Sequence, residues 1–275
     1  MRRKTKRIDF ICEIILWFFS IIVIYPLLMV IITSFKTKGE AGYLNISLPN
    51  VWNIVENYTK VWEQGRIGNG FWNSVYITGL SVILILLLAS AFSFILVRRN
   101  TKICRLISKF MTFGIIAPFA ALPTIQLLKI IGIYGTRTSM VFVYIALYLP
   151  FSTMLFSSFI KGLPRELDEA AVIDGTKGFG MFMRVVFPLL KPVTATTGIL
   201  TFMWVWNDFQ YPIYLLNSSS KWTLPLSVYN FYGQYQRSWN LVCADMIIVS
   251  IPVIILYVFA QKYIIAGMTA GAVKG

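Results

Sequence analysis

Six stretches of this 275-residue sequence are each long and apolar enough to cross a lipid bilayer. A hydrocarbon core about 30 Å thick needs roughly 20 residues of α-helix. A soluble domain of this length could not bury so much apolar surface, because 57% of the residues are hydrophobic and only 13% are charged. We therefore predict an all-α, polytopic membrane protein in which residues 1–275 form a single transmembrane domain. The six predicted spans are residues 14–33, 74–97, 110–128, 139–160, 193–216 and 241–264.

Proline interrupts several of these stretches, including Pro118 in the third and Pro212 in the fifth. Bundled membrane helices tolerate proline because neighbouring helices, water and hydroxyl side chains satisfy the freed backbone groups. No stretch has the two-residue alternation that a strand of a membrane barrel needs. The pattern therefore favours helices over a barrel.

The basic residues indicate the orientation of the spans. Most of the 25 lysines and arginines fall in segments on the same side as the N-terminus. By the positive-inside rule, both termini are predicted to be cytoplasmic. The first apolar stretch is too long for a secretory signal and no small-residue cleavage site follows it, so we expect an uncleaved span. Anionic lipid of the inner leaflet is a sufficient partner for the net charge of +14, and no nucleic acid is indicated.

Residues that commonly carry catalysis or bind metal are scarce. The sequence has no histidine, and its three cysteines, Cys12, Cys104 and Cys243, are widely separated. Neither a disulfide framework nor a metal site is supported. No segment has the glycine spacing and the Lys-Ser/Thr pair of a phosphate-binding loop. We expect no catalytic residues, no metal and no nucleotide hydrolysis by this chain alone.

One predicted inner segment, residues 161–192, contains a half-charged, half-apolar hairpin with the sequence ELDEAAVIDGTKGFGMFMRVVFPLLKP. Pro164 and the acidic residues after it are typical of a helix start, and Gly175 is typical of a helix end. A second short helix is predicted from about Phe179 to Phe187, stopped by Pro188. The hairpin carries more apolar side chains than a surface facing only water: Ala170, Ala171, Ile173, Phe179, Phe182, Met183 and Val186.

Two interpretations of these apolar residues remain open. They could pack under the membrane ends of the chain's own helices, as in any amphipathic surface helix. Alternatively, the small alanines could let the first helix enter a groove of another protein, with Glu169 or Asp174 facing a basic residue there.

The hairpin resembles the EAA loop of ABC importer permeases. The resemblance covers Glu-Ala-Ala, an Asp-Gly pair three residues on, and an aromatic and aliphatic helix that ends in proline. In that family the loop is a coupling helix that docks in a cleft of the cytoplasmic ATPase subunit and transmits its closure to the membrane helices. The resemblance thus implies ATPase coupling by Glu169, Ala170, Ala171, Asp174, Gly175, Phe182 and Pro188.

Two further segments resemble carbohydrate permeases of the maltose-importer type, specifically the six-span partner subunit. They are ENYTKVWEQGRIGNGFWNSVYITG at residues 56–79 and FAQKYIIAGMTAGAVKG at residues 259–275. In that family the small-residue tail, here residues 265–275, contacts the ATPase dimer, which implies this role for Thr269, Gly271 and Lys274. A tail rich in glycine and alanine could also be a disordered end.

Two carboxylates lie within predicted spans, and such groups are candidates for function because a charge is costly there. Asp208 is in the fifth span and Asp245 in the sixth, the former beside further aromatic and amide side chains. These could form a sugar pathway, because sugars bind planar hydrogen-bonding groups and aromatic faces, or a polar clamp between two permease subunits. The candidates for the pathway or the clamp are Trp206, Asn207, Asp208, Gln210, Tyr211 and Asp245, with Trp204 nearby.

The resemblance implies one permease subunit of an ATP-driven carbohydrate (oligosaccharide) importer in a bacterial or archaeal cell membrane. Its expected partners are a second homologous permease, two ATP-binding subunits, an extracytoplasmic solute-binding protein, the carbohydrate substrate and membrane lipid. No cofactor is expected in this chain, since ATP and Mg would be bound by the partner ATPase. The alternatives are an ion-coupled secondary transporter with Asp208 and Asp245 as ion sites, or an ABC permease for a non-sugar solute.

Overall fold

The computed structural model describes residues 2–99, 101–173, 175, 176, 178–232 and 238–272, with side chains throughout except at 2–11, 260 and 262–272. All the elements formed by these residues are helical. In chain order the α-helices are α1 Arg2–Ser34, α2 Lys38–Ala41, α3 Ile54–Gln64, α4 Ile67–Arg98, α5 Lys102–Ile116, α6 Ala121–Ile130, α7 Arg137–Lys161, α8 Glu166–Ile173, α9 Phe179–Met181, α10 Phe187–Leu189, α11 Lys191–Asn207, α12 Gln210–Leu215 and α13 Trp239–Ala272. A π-helical turn, Phe182–Val186, joins α9 to α10, and 3₁₀ turns form at Ser219–Lys221 and Leu224–Asn230.

Four helical segments of the described chain are long and apolar enough to cross a membrane: Cys12–Ser34 of α1, the whole of α4, the whole of α7, and Trp239–Phe259 of α13. They coincide with the first, second, fourth and sixth stretches of the sequence. The segment Phe179–Leu189 and α11 are together long and apolar enough to form one further span, but the two are bent by 78° relative to each other. The chain is therefore an all-helical membrane protein, and its number of spans remains a prediction.

The third stretch, residues 110–128, is occupied by two helices rather than one. Helix α5 ends at Ile116 and α6 begins at Ala121. Ala117 between them is extended, with φ −64° and ψ 123°. The ring of Pro118 explains this, because proline disfavours the helical conformation in the residue before it.

The fifth stretch, residues 193–216, is also divided. Helix α11 ends at Asn207, Asp208 is extended with ψ 128°, and the short α12 follows. The break places a carboxylate and non-helical backbone where a continuous helix was predicted. Such irregular backbone is tolerated in a membrane only where protein or a water-filled cavity surrounds it.

The chain packs as two compact units, residues 1–68 with 227–252 and residues 69–226 with 253–275. In the first unit, Lys36 is buried and donates through Nζ to the backbone oxygen of Asn45 at 2.8 Å and to its side-chain oxygen at 2.7 Å. Asn57 is buried too, donates to the carbonyls of Ser34 and Lys36, and accepts from Asn240 at 2.8 Å. These bonds satisfy polar groups that would otherwise be costly to bury.

The second unit contains two apolar clusters. One surrounds Tyr144 and Leu215 and joins α7 to α11 and α12. The other surrounds Phe156 and Ile160 near the end of α7 and includes residues of the hairpin. The hairpin is thus fixed to the bundle by the same kind of packing that holds the bundle together.

Candidate functional site

Helix α8 of the hairpin ends at a glycine in the left-handed conformation. Gly175 has φ +78°, and its N–H donates to the carbonyl of Val172 at 3.0 Å. The N–H of Thr176 donates to the carbonyl of Ala171 at 2.8 Å. This pair of bonds is the Schellman motif, which favours glycine because a Cβ is strained at positive φ. The predicted helix end at Gly175 is therefore found, with its backbone reason.

The second part of the hairpin differs from the prediction of a helix stopped by Pro188. Helical structure continues from Phe179 to Leu189 and includes the π-helical turn Phe182–Val186, where the N–H of Phe187 bonds to the carbonyl of Phe182. A proline inside an α-helix clashes with the carbonyl four residues earlier, and a π-turn re-registers the backbone at that place. Pro188 therefore reshapes the helix rather than ending it.

One side of the hairpin packs against its own bundle. Phe182 is 5% exposed, Val186 1% and Leu190 fully buried, in the cluster that contains Phe156 and Ile160 of α7. Phe182 also contacts the ring of Phe94 on α4, with centroids 5.4 Å apart. We call Phe182, Val186 and Leu190 the fastening residues, because they fix the hairpin to α4 and α7.

Other apolar side chains of the same hairpin have no such cover. Ile173 is 85% exposed and Phe179 is 74% exposed. Glu169 and Ala170 are exposed as well, whereas Ala171 is buried. Packing against the chain's own helices therefore accounts for one subset of the apolar residues and leaves the other subset uncovered. We call Val172, Ile173, Phe179 and Met183 the exposed hairpin residues. Asp174 lies outside the described residues.

An ion pair ties α8 to the end of α4. Arg98 Nε lies 2.6 Å from Asp168 Oδ2, and Arg98 Nη2 donates to Asp168 Oδ1 at 3.4 Å. The side chains are only 13% and 18% exposed, so water screens this pair less than a surface pair. In the sequence, Arg98 contributes only to the predicted orientation of the spans, and Asp168 contributes only to the predicted helix start. Their partnership spans 70 positions and had no local signal.

An open pocket of about 350 Å³ lies between α7 and the break that follows α11. Its aromatic wall is Trp204 stacked on Tyr148, with ring centroids 5.3 Å apart. Such a mixture of aromatic faces and a few polar groups is typical of small-molecule sites. Sequence reasoning missed Tyr148, which is distant in the chain and stands in an apolar stretch. The lining is Tyr148, Leu200, Met203, Trp204, Asn207, Asp208, Gln210 and Tyr211.

Asp208 is held by groups of its own chain. Tyr144 Oη on α7 donates to Asp208 Oδ2 at 2.7 Å, while the N–H groups of Gln210 and Tyr211 donate to Oδ1 at 2.9 and 3.4 Å. The carboxylate thus caps the start of α12, as aspartate does at helix N-termini. It clamps α7 to the break, and one edge of it still lines the pocket.

The remaining pathway candidates occupy different environments. Trp206 is 3% exposed and stacks on Phe202, so it packs in the interior and does not line the pocket. Asn207 is exposed and its Nδ2 donates to the carbonyl of Met203 at 2.9 Å. Asp245 is fully buried and accepts from Ser227 Oγ at 2.9 and 3.1 Å. It is not among the residues that line the pocket.

The predicted ATPase-contacting tail is only partly described. Helix α13 continues through Thr269 and Gly271 to Ala272, and Lys274 lies outside the described residues. Within the part of the chain that the structure describes, no three histidine, cysteine, aspartate or glutamate residues cluster as metal ligands would.

Long apolar helices, a hairpin with exposed apolar residues and an open polar and aromatic pocket together describe an integral membrane protein with surfaces open to a partner or a solute. The chain belongs to the family of inner membrane components of binding-protein-dependent transport systems, whose model matches residues 97–270. It is therefore a membrane-embedded permease that works with partner subunits.

Among curated relatives, the chain is 34% identical to the melibiose/raffinose/stachyose import permease protein MelC of Bacillus subtilis, over 91% of each chain. It is 33% identical to the multiple sugar-binding transport system permease protein MsmG of Streptococcus mutans, over 99% of this chain and 100% of the relative. It is 32% identical to the probable starch degradation products transport system permease protein AmyC of Thermoanaerobacterium thermosulfurigenes, over 93% of each.

The fold matches a solved structure as well. A chain from the crystal structure of a bacterial ABC transporter involved in the import of the acidic polysaccharide alginate superposes with a TM-score of 0.81. The match covers 95% of this chain and 98% of the other at 21% sequence identity, so it establishes the fold alone.

Proposed function

We propose that this protein is the permease subunit of an ATP-driven importer of carbohydrates, oligosaccharides in particular, in a bacterial or archaeal cell membrane. The observation that carries the proposal is the set of relatives 32–34% identical over at least 91% of the chain. Each of them is named for the transport of sugars or of starch degradation products. Charge asymmetry supports an orientation with both termini in the cytoplasm.

The complete importer would contain a second, homologous permease, two ATP-binding subunits and an extracytoplasmic solute-binding protein. The family's dependence on a binding protein supports the last of these partners. ATP and Mg would be bound by the ATPase subunits, so this chain would contribute no catalytic residue. Its tail, with Thr269, Gly271 and Lys274, would contact the ATPase dimer.

The hairpin would couple ATPase closure to the membrane helices. Ile173 and Phe179, which are mostly exposed, would enter the cleft of the ATPase, while Glu169, Ala170 and Asp174 would lie at the contact. Ala171, Gly175, Phe182 and Pro188 would shape and fasten the hairpin rather than touch the partner. Movement of α8 would reach α4 through the ion pair of Arg98 and Asp168. The bundle would thereby switch between inward-facing and outward-facing states as a rigid-body change.

The pocket beside Asp208 would form part of the sugar pathway. Trp204 and Tyr148 offer aromatic faces, and the exposed Asn207 and Gln210 offer hydrogen bonds. Asp208 would act chiefly as a clamp within this chain, because both its oxygens already accept hydrogen bonds there. Trp206 would serve as packing.

An ion-coupled secondary transporter is the second class of function. It would need Asp208 or Asp245 to exchange an ion during transport. Asp208 caps α12 and accepts from Tyr144, and both oxygens of Asp245 share the single hydroxyl proton of Ser227. Both carboxylates therefore have structural partners, which makes this class the weaker alternative.

Uptake by the reconstituted complex tests the proposal. Proteoliposomes containing both permeases and the ATPase should accumulate an oligosaccharide supplied with its binding protein only when ATP is enclosed. An amino acid or phosphate supplied in its place should not enter. Uptake that requires a proton gradient and ignores ATP would establish the secondary transporter instead.

Co-purification tests the coupling role of the hairpin separately. Glu169→Ala should weaken the ATPase contact, and Gly175→Pro should distort the end of α8, since proline cannot adopt φ +78°. We expect loss of the ATPase from the purified complex, or loss of stimulation by the loaded binding protein with the complex intact. Unchanged association and activity in both variants would mean that the hairpin only supports its own bundle.

A further inference from the structure

A second cavity, of about 390 Å³, lies beside the hairpin and has no part in the proposed sugar pathway. The ends of α4 and α7, the first turns of α5 and the segment before α8 all contribute to its wall. Four of the contributing side chains are cationic, and two hydroxyls accompany them. These six residues are Arg98, Arg105, Ser108, Ser157, Lys161 and Arg165.

The positive charge of this basic pocket is largely uncompensated. Arg98 is paired with Asp168. Among the described residues, no carboxylate lies within ion-pair distance of Arg105, Lys161 or Arg165, and all three side chains are exposed. Like charges converging on one concave surface attract an anion with several oxygen acceptors.

The position of the pocket indicates where the anion comes from. Helices α4 and α7 both qualify as membrane spans, and they end at Arg98 and Lys161, two residues of the pocket wall. The cationic groups are therefore at the level where hydrocarbon gives way to lipid headgroups.

Apolar side chains line the pocket beside the charges. Leu96 and Val97 come from the end of α4, and Leu163 comes from the segment before α8. Helix α5 supplies Arg105 and Ser108 to the same wall. A soluble anion has no use for the apolar side chains, whereas the beginning of an acyl chain would contact them.

We propose that the basic pocket binds the phosphate headgroup of one anionic phospholipid, with the beginning of its acyl chains against Leu96, Val97 and Leu163. Arg105, Lys161 and Arg165 contact the phosphate oxygens, and Ser108 and Ser157 donate hydrogen bonds. Basic pockets between membrane helices are suited to such headgroups. This inference rests on the proposed function in one respect: the orientation proposed there places the pocket in the cytoplasmic leaflet.

Lipid binding to the complete, delipidated importer in detergent is the test. Native mass spectrometry would count phosphatidylglycerol retained per complex and give its affinity, with phosphatidylcholine as the neutral lipid. The double variant Arg105→Gln with Lys161→Gln should weaken phosphatidylglycerol binding on the order of tenfold. The charge-conserving Arg105→Lys should bind nearly as well as the wild type.

A matched control exists on the same helix. Lys102→Gln with Lys109→Gln removes the same charge from exposed positions of α5 that do not line the pocket, and should leave the affinity unchanged. Equal losses in the two double variants, or equal binding of phosphatidylcholine, would overturn the site. Displacement of the lipid by millimolar inorganic phosphate would overturn the lipid assignment in favour of a free anion.

Two outcomes separate this inference from the proposed function. If the pocket variant lost the ATPase subunit and kept its lipid, the pocket would be a protein contact and the inference would be wrong. If sugar uptake failed in the wild type while selective lipid binding persisted, only the proposed function would be affected.

Discussion

Gly175 has a backbone conformation that few other residues adopt at low cost. Its φ of +78° permits the two hydrogen bonds that close α8, and a Cβ added there would meet nothing within 4 Å. The constraint on this position is therefore the backbone and not space. A side chain at Gly175 would be strained even though there is room for it.

We predict that Gly175→Val impairs coupling without removing the protein from the membrane. A β-branched residue at positive φ costs about 1–2 kcal/mol, which α8 would relieve by shifting its last turn. Stimulation of ATPase activity by the loaded binding protein should fall several-fold. The matched control is Gly180→Ala in the same hairpin, where φ is ordinary and a Cβ would meet only Thr176 Cγ2 at 3.5 Å. Equal effects in the two variants would contradict the conformational argument.

Two neighbouring tryptophans should respond differently to truncation. Trp204 is 37% exposed and faces the pocket, whereas Trp206 is 3% exposed. Trp204→Ala should raise the KM for sugar uptake with little loss of assembly, and Trp204→Phe should recover most of the affinity because it keeps an aromatic face. Trp206→Ala should lower the thermal stability of the purified complex, at a cost of about 3 kcal/mol or more. A KM effect confined to Trp206→Ala would exchange the roles assigned to the two residues.

The sequence singled out a segment whose residues line a pocket, and it did not show which of them face that pocket. Asp208 and its neighbours were candidates for function because a carboxylate within a membrane span is energetically costly. Which tryptophan faces the pocket depends on a helix rotation of two residues, and the partners Tyr144 and Tyr148 come from a different helix. Both facts belong to tertiary packing, and no local pattern in residues 204–211 encodes them.

At the scale of elements, the hairpin is held to the bundle by two unlike contacts. The fastening residues bury apolar surface against α7, and the ion pair joins α8 to the last residue of α4. Packing of this kind tolerates small sliding, whereas a partly buried ion pair, with Arg98 Nε 2.6 Å from Asp168 Oδ2, resists separation of the two helix ends. The ion pair is therefore the contact suited to passing movement of α8 to α4.

We expect Arg98 and Asp168 to be energetically coupled. Arg98→Gln and Asp168→Asn each leave a partly buried charge without its partner. The two single destabilisations should therefore sum to more than the destabilisation of the double variant. A double-mutant cycle on thermal unfolding should give a coupling energy on the order of 1–3 kcal/mol, and each single variant should reduce stimulated ATPase activity. Glu166→Gln, which neutralises an exposed carboxylate on the same helix, should change stability by less than about 0.5 kcal/mol. Additive effects at positions 98 and 168 would remove the ion pair from the coupling pathway.

The existence of the elements was easier to predict than their continuity. Four of the six apolar stretches coincide with helices long enough to cross a membrane. Hydropathy predicts such helices well because a run of about 20 apolar residues is what the hydrocarbon core requires. Pro118 and Asp208 break the other two, and the π-turn before Pro188 departs from the predicted stop. In each case the backbone leaves the α-helical path at one place. The sequence alone does not reveal whether the neighbouring helices favour an extended residue, as at Ala117 and Asp208, or a π-turn, as before Pro188.

At the scale of the whole molecule, the proposed orientation puts the hairpin and the 3₁₀ turn at Ser219–Lys221 on opposite sides of the membrane. In a Cys12→Ser background the remaining cysteines, Cys104 and Cys243, are buried. Ser220→Cys should then react with a membrane-impermeant maleimide in intact cells. Ile173→Cys should react only in inside-out vesicles, and co-expression of the ATPase should protect it. The reverse pattern of labelling would invert the topology.

The fastening residues and the exposed hairpin residues are under different constraints on sequence change. Phe182 and Val186 must fit the permease's own core, whereas Ile173 and Phe179 need to fit only whatever protein docks there. Substitutions can therefore accumulate on one side of the hairpin without damage to the other. Under the proposed coupling, such a hairpin would be an exchangeable adaptor, and grafting the exposed side chains of one permease onto another would change which ATPase subunit drives it.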